Sequence, residues 1–139
     1  MIRNATPTDT PAIVRMVAML HASAGIVLPM DARITARFVD ALIASPMGLV
    51  LIGGPSEPDG FLAASVGAAS IAMTPVAHEH GWWSAGGDGL RLLRRYEAWA
   101  REQGCFAVRM STPPHNERAA SILQRSGFAL AEQAWVKVL

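Results

Sequence analysis

The residues whose types and spacing can do chemistry lie mostly between positions 78 and 91. The stretch Ser84-Ala85-Gly86-Gly87-Asp88-Gly89-Leu90-Arg91 opens as a glycine-rich turn and runs into a helix. A helix start presents free backbone N–H groups and a partial positive charge. Glycines before it let the chain turn tightly and let an anion approach the backbone, so such a site needs no lysine. Two nucleotide motifs fail here. A nucleoside-triphosphate loop needs Lys and then Ser or Thr after its last glycine, and Leu90 and Arg91 stand there. A dinucleotide fingerprint needs a third glycine and a place after the first strand; Gly87-Asp88-Gly89 has neither.

Just upstream stands His78-Glu79-His80. The segment reads as a strand, and strand side chains alternate. Glu79 is therefore expected to share a face with Gly81, and His78 with His80. Two histidines and one carboxylate in direct succession rarely converge on one ion, so no metal site is expected. Trp82 and Trp83 follow, one for each face. Cys105, the single cysteine, lies in an apolar strand and reads as core. It excludes a disulfide within the chain and suits a reducing cytoplasm.

These groups must be held by ordinary elements. Met1 to Asn4 reads as a short strand. A helix follows, with Asp9 or Thr10 as its cap, Pro11 in its first turn, Ile13, Val17 and Leu20 at helical spacing and Gly25 as its stop. A second helix fits Asp31 to Ala44, with Ile34, Phe38, Ala41 and Leu42 as its apolar stripe. "MGLVLIGG" and "FLAASVGAASIA" form a hairpin around a Pro/Gly turn, and "HEHGWW" is a fourth strand. A helix from Asp88 to Gln103 buries Leu92, Leu93, Tyr96, Trp99 and Ala100 and stops at Gly104. "CFAVRMS" is a fifth strand, a last helix runs from Asn116 to just before Gly127, and "FALAEQAWVKVL" closes the chain as one or two strands. The order is that of a mixed α/β layer architecture.

Length and composition agree. The 139 residues fit one domain, spanning 1–139, with enough apolar residues (51%) to build a core. A net charge of +1 gives no bias toward nucleic acid or an anionic membrane. The chain has no run of about 18 apolar residues, and its first ten lack the apolar core of a secretion signal. A cytoplasmic place is expected. The many Ala, Val, Leu and Met residues fit tight packing and leave room for a homodimer face.

The glycine turn resembles the coenzyme A pyrophosphate loop of the GNAT acetyltransferase superfamily. That pattern is Gln/Arg-x-x-Gly-x-Gly/Ala, and Ser84 to Gly89 match both glycines, with Ser84 at the first position. "HNERAASILQRSGF" is similar to the family's last helix at Asn116, Ala119, Gly127 and Phe128. "IRNATPTDTPAIVRMV" resembles its opening strand and helix, and the element order agrees over nearly the whole chain. The resemblance implies a mixed central sheet of six to seven strands flanked by four helices. It implies acetyl transfer from acetyl-CoA to a primary amine of a small molecule or protein.

It also implies roles. Backbone groups around Gly81, Trp82 and Trp83 would hold the pantetheine arm between the fourth and fifth strands. Amides of Ser84, Gly86, Gly87, Asp88, Gly89, Leu90 and Arg91 would hold the pyrophosphate, with charge from Arg91 or Arg94. Asp88 would point away. Asn116 would bond the pantetheine or nearby backbone. Glu79 would take the amine's proton, with His80 and then His78 behind it. The family's tyrosine proton donor corresponds to Leu123 here, leaving Ser111, Cys105 and His115 as candidates. An alternative therefore stays open: a catalytically weak or inactive module that binds acyl-CoA or a protein partner.

Overall fold

The computed structural model describes residues 1–68 and 70–139. Its elements are β1 (Ile2–Asn4), a single 3-10 turn (Pro7–Asp9), α1 (Thr10–Ala24), α2 (Ala32–Ala44), β2 (Gly48–Gly53), β3 (Gly60–Ala68), β4 (Pro75–Ser84), α3 (Gly89–Glu102), β5 (Ala107–Arg109) and α4 (Glu117–Arg125). The sheet order is β1-β2-β3-β4-β5. The first three pairings are antiparallel and β4 pairs β5 in parallel, as a helical crossover through α3 allows.

Local chemistry fixes the helix ends. Asp31 Oδ1 accepts from the N–H groups of Arg33 (2.9 Å) and Ile34 (3.0 Å) and starts α2. Asn116 starts α4 in the same way, accepting from Ala119 N–H at 3.0 Å. Gly25 ends α1 at φ 64°, which favours glycine. Asp9 stands at the cap of α1, but its carboxylate turns back. It receives both guanidinium nitrogens of Arg3 at 2.9 Å and the Thr6 N–H at 2.8 Å. This holds the Asp9 carboxyl down at about 2, well below its ordinary 3.8, with the Arg3 hydrogen bonds as the main cause.

The sheet is covered on both faces. β2 alternates Leu49 and Leu51 toward one cluster with Val50 and Ile52 toward the other. The first cluster holds Leu62, Leu92, Leu93, Tyr96 and Trp99 beneath α3. The second holds Ile13, Met16, Val39, Leu42 and Phe61 beneath α1 and α2. Burying side chains such as Phe61 or Leu62 contributes about 1.5–3 kcal/mol each.

Three expectations are corrected. The sheet has five strands rather than six or seven, because Phe128–Leu139 forms no strand and is largely exposed. Trp135 in that segment is 89% exposed. In α2 the buried residues are Val39 and Leu42, while Ile34 (64% exposed) and Phe38 (46%) face outward. Of the expected stripe Leu42 is buried, with Val39 beside it in place of Ile34 and Phe38. The third difference lies in β4. Ala63 pairs with Gly81 and Ala64 with Glu79, so His80 is an extra residue, a β-bulge. Strict alternation fails there. Gly81 joins the histidines on the α1/α2 face, against Phe61 and Leu20, and Glu79 stays with Ala77 on the α3 face. The strand expected over residues 61–72 ends at Ala68; Ala69 lies outside the described residues.

Candidate active site

The bulge bends β4 where its parallel pairing ends. β4 and β5 pair at Val76 with Ala107, Ala77 with Val108 and His78 with Arg109, and no further. β4 continues to Ser84. Among the described residues its β5-facing backbone groups beyond His78 have no strand partner, and the two strands form a fork. The carbonyl of Arg109, at the last paired position of β5, accepts from the buried Tyr96 hydroxyl at 3.1 Å. Burial, and next the charge of Glu79, raise the Tyr96 hydroxyl's pKa above its ordinary 10. Tyr96 thus closes the base of the fork and belongs to the core.

Glu79 spans the fork. Its Oε2 accepts from the N–H (3.3 Å) and the hydroxyl (3.2 Å) of Ser111, just past β5. Burial pushes the carboxyl up from 4.5 to about 7, although both Ser111 bonds favour the charged form. A carboxyl balanced near 7 suits proton transfer at neutral pH. His80 projects on the other face. Its Nε2 lies 2.7 Å from Ser65 Oγ, and Phe38 meets its ring edge-on at 5.1 Å between centroids. Burial, then the neighbouring His78, hold the imidazole below its ordinary 6.5. The two site residues thus sit close in sequence and on opposite sides of the sheet. Among the described residues no cluster of three metal-ligating side chains occurs.

The glycine turn lies at the far end of β4. Gly87 has φ 87°, which favours glycine. A side chain on Gly86 would collide with the Asp59 carboxylate. That contact from the β2–β3 connection favours glycine here independently of any ligand. Ser84 Oγ accepts the Asp88 N–H at 3.0 Å, and Asp59 carbonyl accepts the Ala85 N–H at 2.8 Å. The N–H groups of Gly86, Gly87, Gly89, Leu90 and Arg91 make no hydrogen bond among the described residues. This set fits an anionic diphosphate. The Asp88 carboxylate lies toward Gly53 of β2 and pairs with Arg91 at 3.0 Å. Arg91 is therefore already engaged.

The other expected residues fall as follows. Trp82 packs on the α3 side, its indole N–H donating to Gly89 carbonyl at 3.0 Å, and Trp83 packs on the α1/α2 side. Asn116 uses its oxygen to cap α4. Of the proton-donor candidates only Ser111 is at the fork. His115 Nε2 lies 3.0 Å from Ser23 carbonyl and ties the segment after β5 to the end of α1. Cys105 sits beyond the far end of β5, its pKa raised by burial. Sequence reading missed Asp59 and Ser65 because neither belongs to a motif; Pro58-Asp59-Gly60 signals only a turn.

At the level of sequence no family model matches the chain, nor does any curated protein. Solved structures do match in three dimensions. A probable acetyltransferase superposes with a TM-score of 0.77 at 17% identity, covering 100% of this chain and 96% of its own. A predicted acetyltransferase from Clostridium acetobutylicum, solved with acetyl-CoA, gives 0.79 at 14% identity, with 100% and 95% covered. An aminoglycoside 6'-N-acetyltransferase from Acinetobacter haemolyticus gives 0.76 at 16% identity, with 100% and 97% covered. The whole chain thus superposes on these proteins, its mixed sheet and four helices included: it has the GNAT fold.

Proposed function

We propose that the protein transfers an acetyl group from acetyl-CoA to a primary amine. The observation that carries this is the fork between β4 and β5, bridged by Glu79 and Ser111 and leading to the unbonded amides of Gly86, Gly87, Gly89, Leu90 and Arg91. The fold of the acetyltransferases it superposes on supports the same reading.

When bound, acetyl-CoA supplies a thioester carbonyl as electrophile. The amides of Gly86, Gly87, Gly89, Leu90 and Arg91 would hold the pyrophosphate. The β5-facing backbone of residues 80–83 would take the pantetheine as an added strand. An N–H there would polarise the carbonyl oxygen as negative charge develops on it. The amine arrives as an ammonium ion, and Glu79 takes its proton. The nitrogen then attacks the carbonyl carbon; the N–C bond forms and the C–S bond breaks. The second nitrogen proton passes to the leaving thiolate, with Ser111 as the hydroxyl in place to relay it. The products are an N-acetyl amide, free CoA thiol and one released proton.

Calorimetric titration with acetyl-CoA, followed by mass spectrometry of an amine mixture, tests this. Micromolar to low millimolar binding with products 42 Da heavier, the mass of one added acetyl group, is the expected result. A second reading rests on Leu123, which packs against the core where a tyrosine donor would stand. Binding of acetyl-CoA with no acetylated product would favour that reading, a binding module.

A further inference from the structure

Asp59 brings a carboxylate against the glycine turn from a different hairpin. Its main chain is bonded on both sides: its N–H donates to Gly53 carbonyl at 2.9 Å, and its carbonyl accepts the Ala85 N–H at 2.8 Å. The side chain is thus carried to the turn by backbone bonds that any residue could make. Its Oδ2 occupies the space a Gly86 side chain would fill, and its Oδ1 lies 3.2 Å from where one on Gly54 would start. Oδ1 is shut off from solvent and takes no hydrogen bond among the described residues. A buried acceptor without a donor is destabilising, so local packing alone does not favour a carboxylate here.

No cation offsets this charge. Among the described residues Asp59 forms no ion pair. Arg91, at the start of α3, is held by Asp88 at 3.0 Å. The amino terminus reaches the same connection but donates to the Gly54 carbonyl, at 3.4 Å. Glu57, two residues before Asp59, is exposed and adds negative charge. Arg94, one turn along α3, is exposed and stays outside all three ion pairs. The free amides of Gly86 and Gly87 attract an anion, and the carboxylate beside them repels it. The diphosphate of a coenzyme A thioester is negative at both phosphates and meets these two effects at one point.

Resting on the transferase reading above, we propose that Asp59 determines specificity in the donor site. Its carboxylate opposes the diphosphate, so the turn holds acetyl-CoA and the product CoA less tightly than its amides allow. The pantetheine arm then carries the larger share of donor binding.

Calorimetric titration of the wild type, Asp59→Asn and Asp59→Ala tests this. The ligands are acetyl-CoA, CoA and S-acetylpantetheine, which keeps the thioester and the arm without any phosphate. Both variants should lower the Kd of acetyl-CoA and of CoA about ten-fold, and change that of S-acetylpantetheine less than about two-fold. Unchanged or weaker binding of acetyl-CoA overturns the proposal, as does equal tightening of all three ligands. A gain confined to Asp59→Asn reports a new amide donor and overturns it too. If Asp59→Ala does not fold, salt decides: the gap between wild type and Asp59→Asn should close in about 1 M KCl, and a gap that persists overturns the assignment. If the wild type binds no acetyl-CoA or S-acetylpantetheine, the transferase reading fails by itself. The Gly86 and Gly87 amide signals are then followed by NMR as inorganic pyrophosphate is added. Tighter binding by Asp59→Asn than by the wild type upholds the role of the carboxylate; an equal response, or none in either, overturns it.

Discussion

Glu79 Oε2 receives both the backbone N–H and the hydroxyl of Ser111, at 3.3 and 3.2 Å, across the opening where β4 and β5 separate. The carboxyl is thereby held at the opening of the fork. Its pKa near 7 comes from burial that the two bonds only partly offset. If it is the base, kcat/KM rises with pH about ten-fold per unit below 7 and levels above it. Glu79→Gln should lose about 10²–10⁴ in rate. His80→Gln should keep the rising limb at about 7. A limb that instead lies below 6.5 and disappears with His80 assigns the base to the imidazole, whose pKa is depressed.

Ser111→Ala tests the bridge itself. Removing a bond to the charged form favours the neutral carboxyl, so the limb should move above 7. The same carboxyl affects stability. Its folded pKa exceeds its unfolded 4.5, so the native state binds more protons between 4.5 and about 7 and stability falls as pH rises through that window. Glu79→Gln should therefore melt above the wild type at pH 8, and this gap should close at pH 4 in differential scanning calorimetry.

Gly86 and Gly87 separate two reasons for glycine. Gly87→Ala places a side chain at φ 87° and should cost about 1–2 kcal/mol, whatever its neighbours. Gly86→Ala drives a methyl group into the Asp59 carboxylate. Its loss of stability and of acetyl-CoA affinity should be partly restored by Asp59→Ala, whereas Gly87→Ala should not respond. A double-mutant cycle by urea unfolding and calorimetry reads the difference.

Asp9 ties β1 to the start of α1. Asp9→Ala removes the Arg3 pair and the Thr6 bond, and should destabilise the protein by about 2 kcal/mol at pH 7. Its folded pKa lies below its unfolded value, so this stabilisation is present above about 3.8 and is lost as pH falls toward about 2. The gap between wild type and variant in urea unfolding should narrow over that window.

Local signals in the sequence locate most of the frame. Gly25, Asp31, Asn116 and the stripe Leu92-Leu93-Tyr96-Trp99 mark helix ends and faces that depend on neighbouring residues alone. The non-local features are less legible. Whether α2 buries Ile34 and Phe38 or Val39 along with Leu42 depends on what α1 and β2 offer it. The bulge at His80 is visible only from the partner strand, since two residues face one across the ladder. Ser111 finds Glu79 through the path of β5, and Asp59 finds Gly86 through a loop from another hairpin. The closing strands fail for a related reason: "AEQAWVKVL" has β-forming residues, yet a strand needs a pairing edge as well as a propensity.

The extra residue in β4 has a consequence for how such a slot can arise. On either side of His80 the core pairs are those of an unbroken hairpin: Ala64 opposite Glu79, Leu62 opposite Trp82, Phe61 opposite Trp83. Deleting that one position would leave every one of those partners in place and straighten the strand toward its neighbour. The bend that opens the slot and the pairs that build the core are thus written in separable parts of the chain, and one residue more or less is all that divides the two registers.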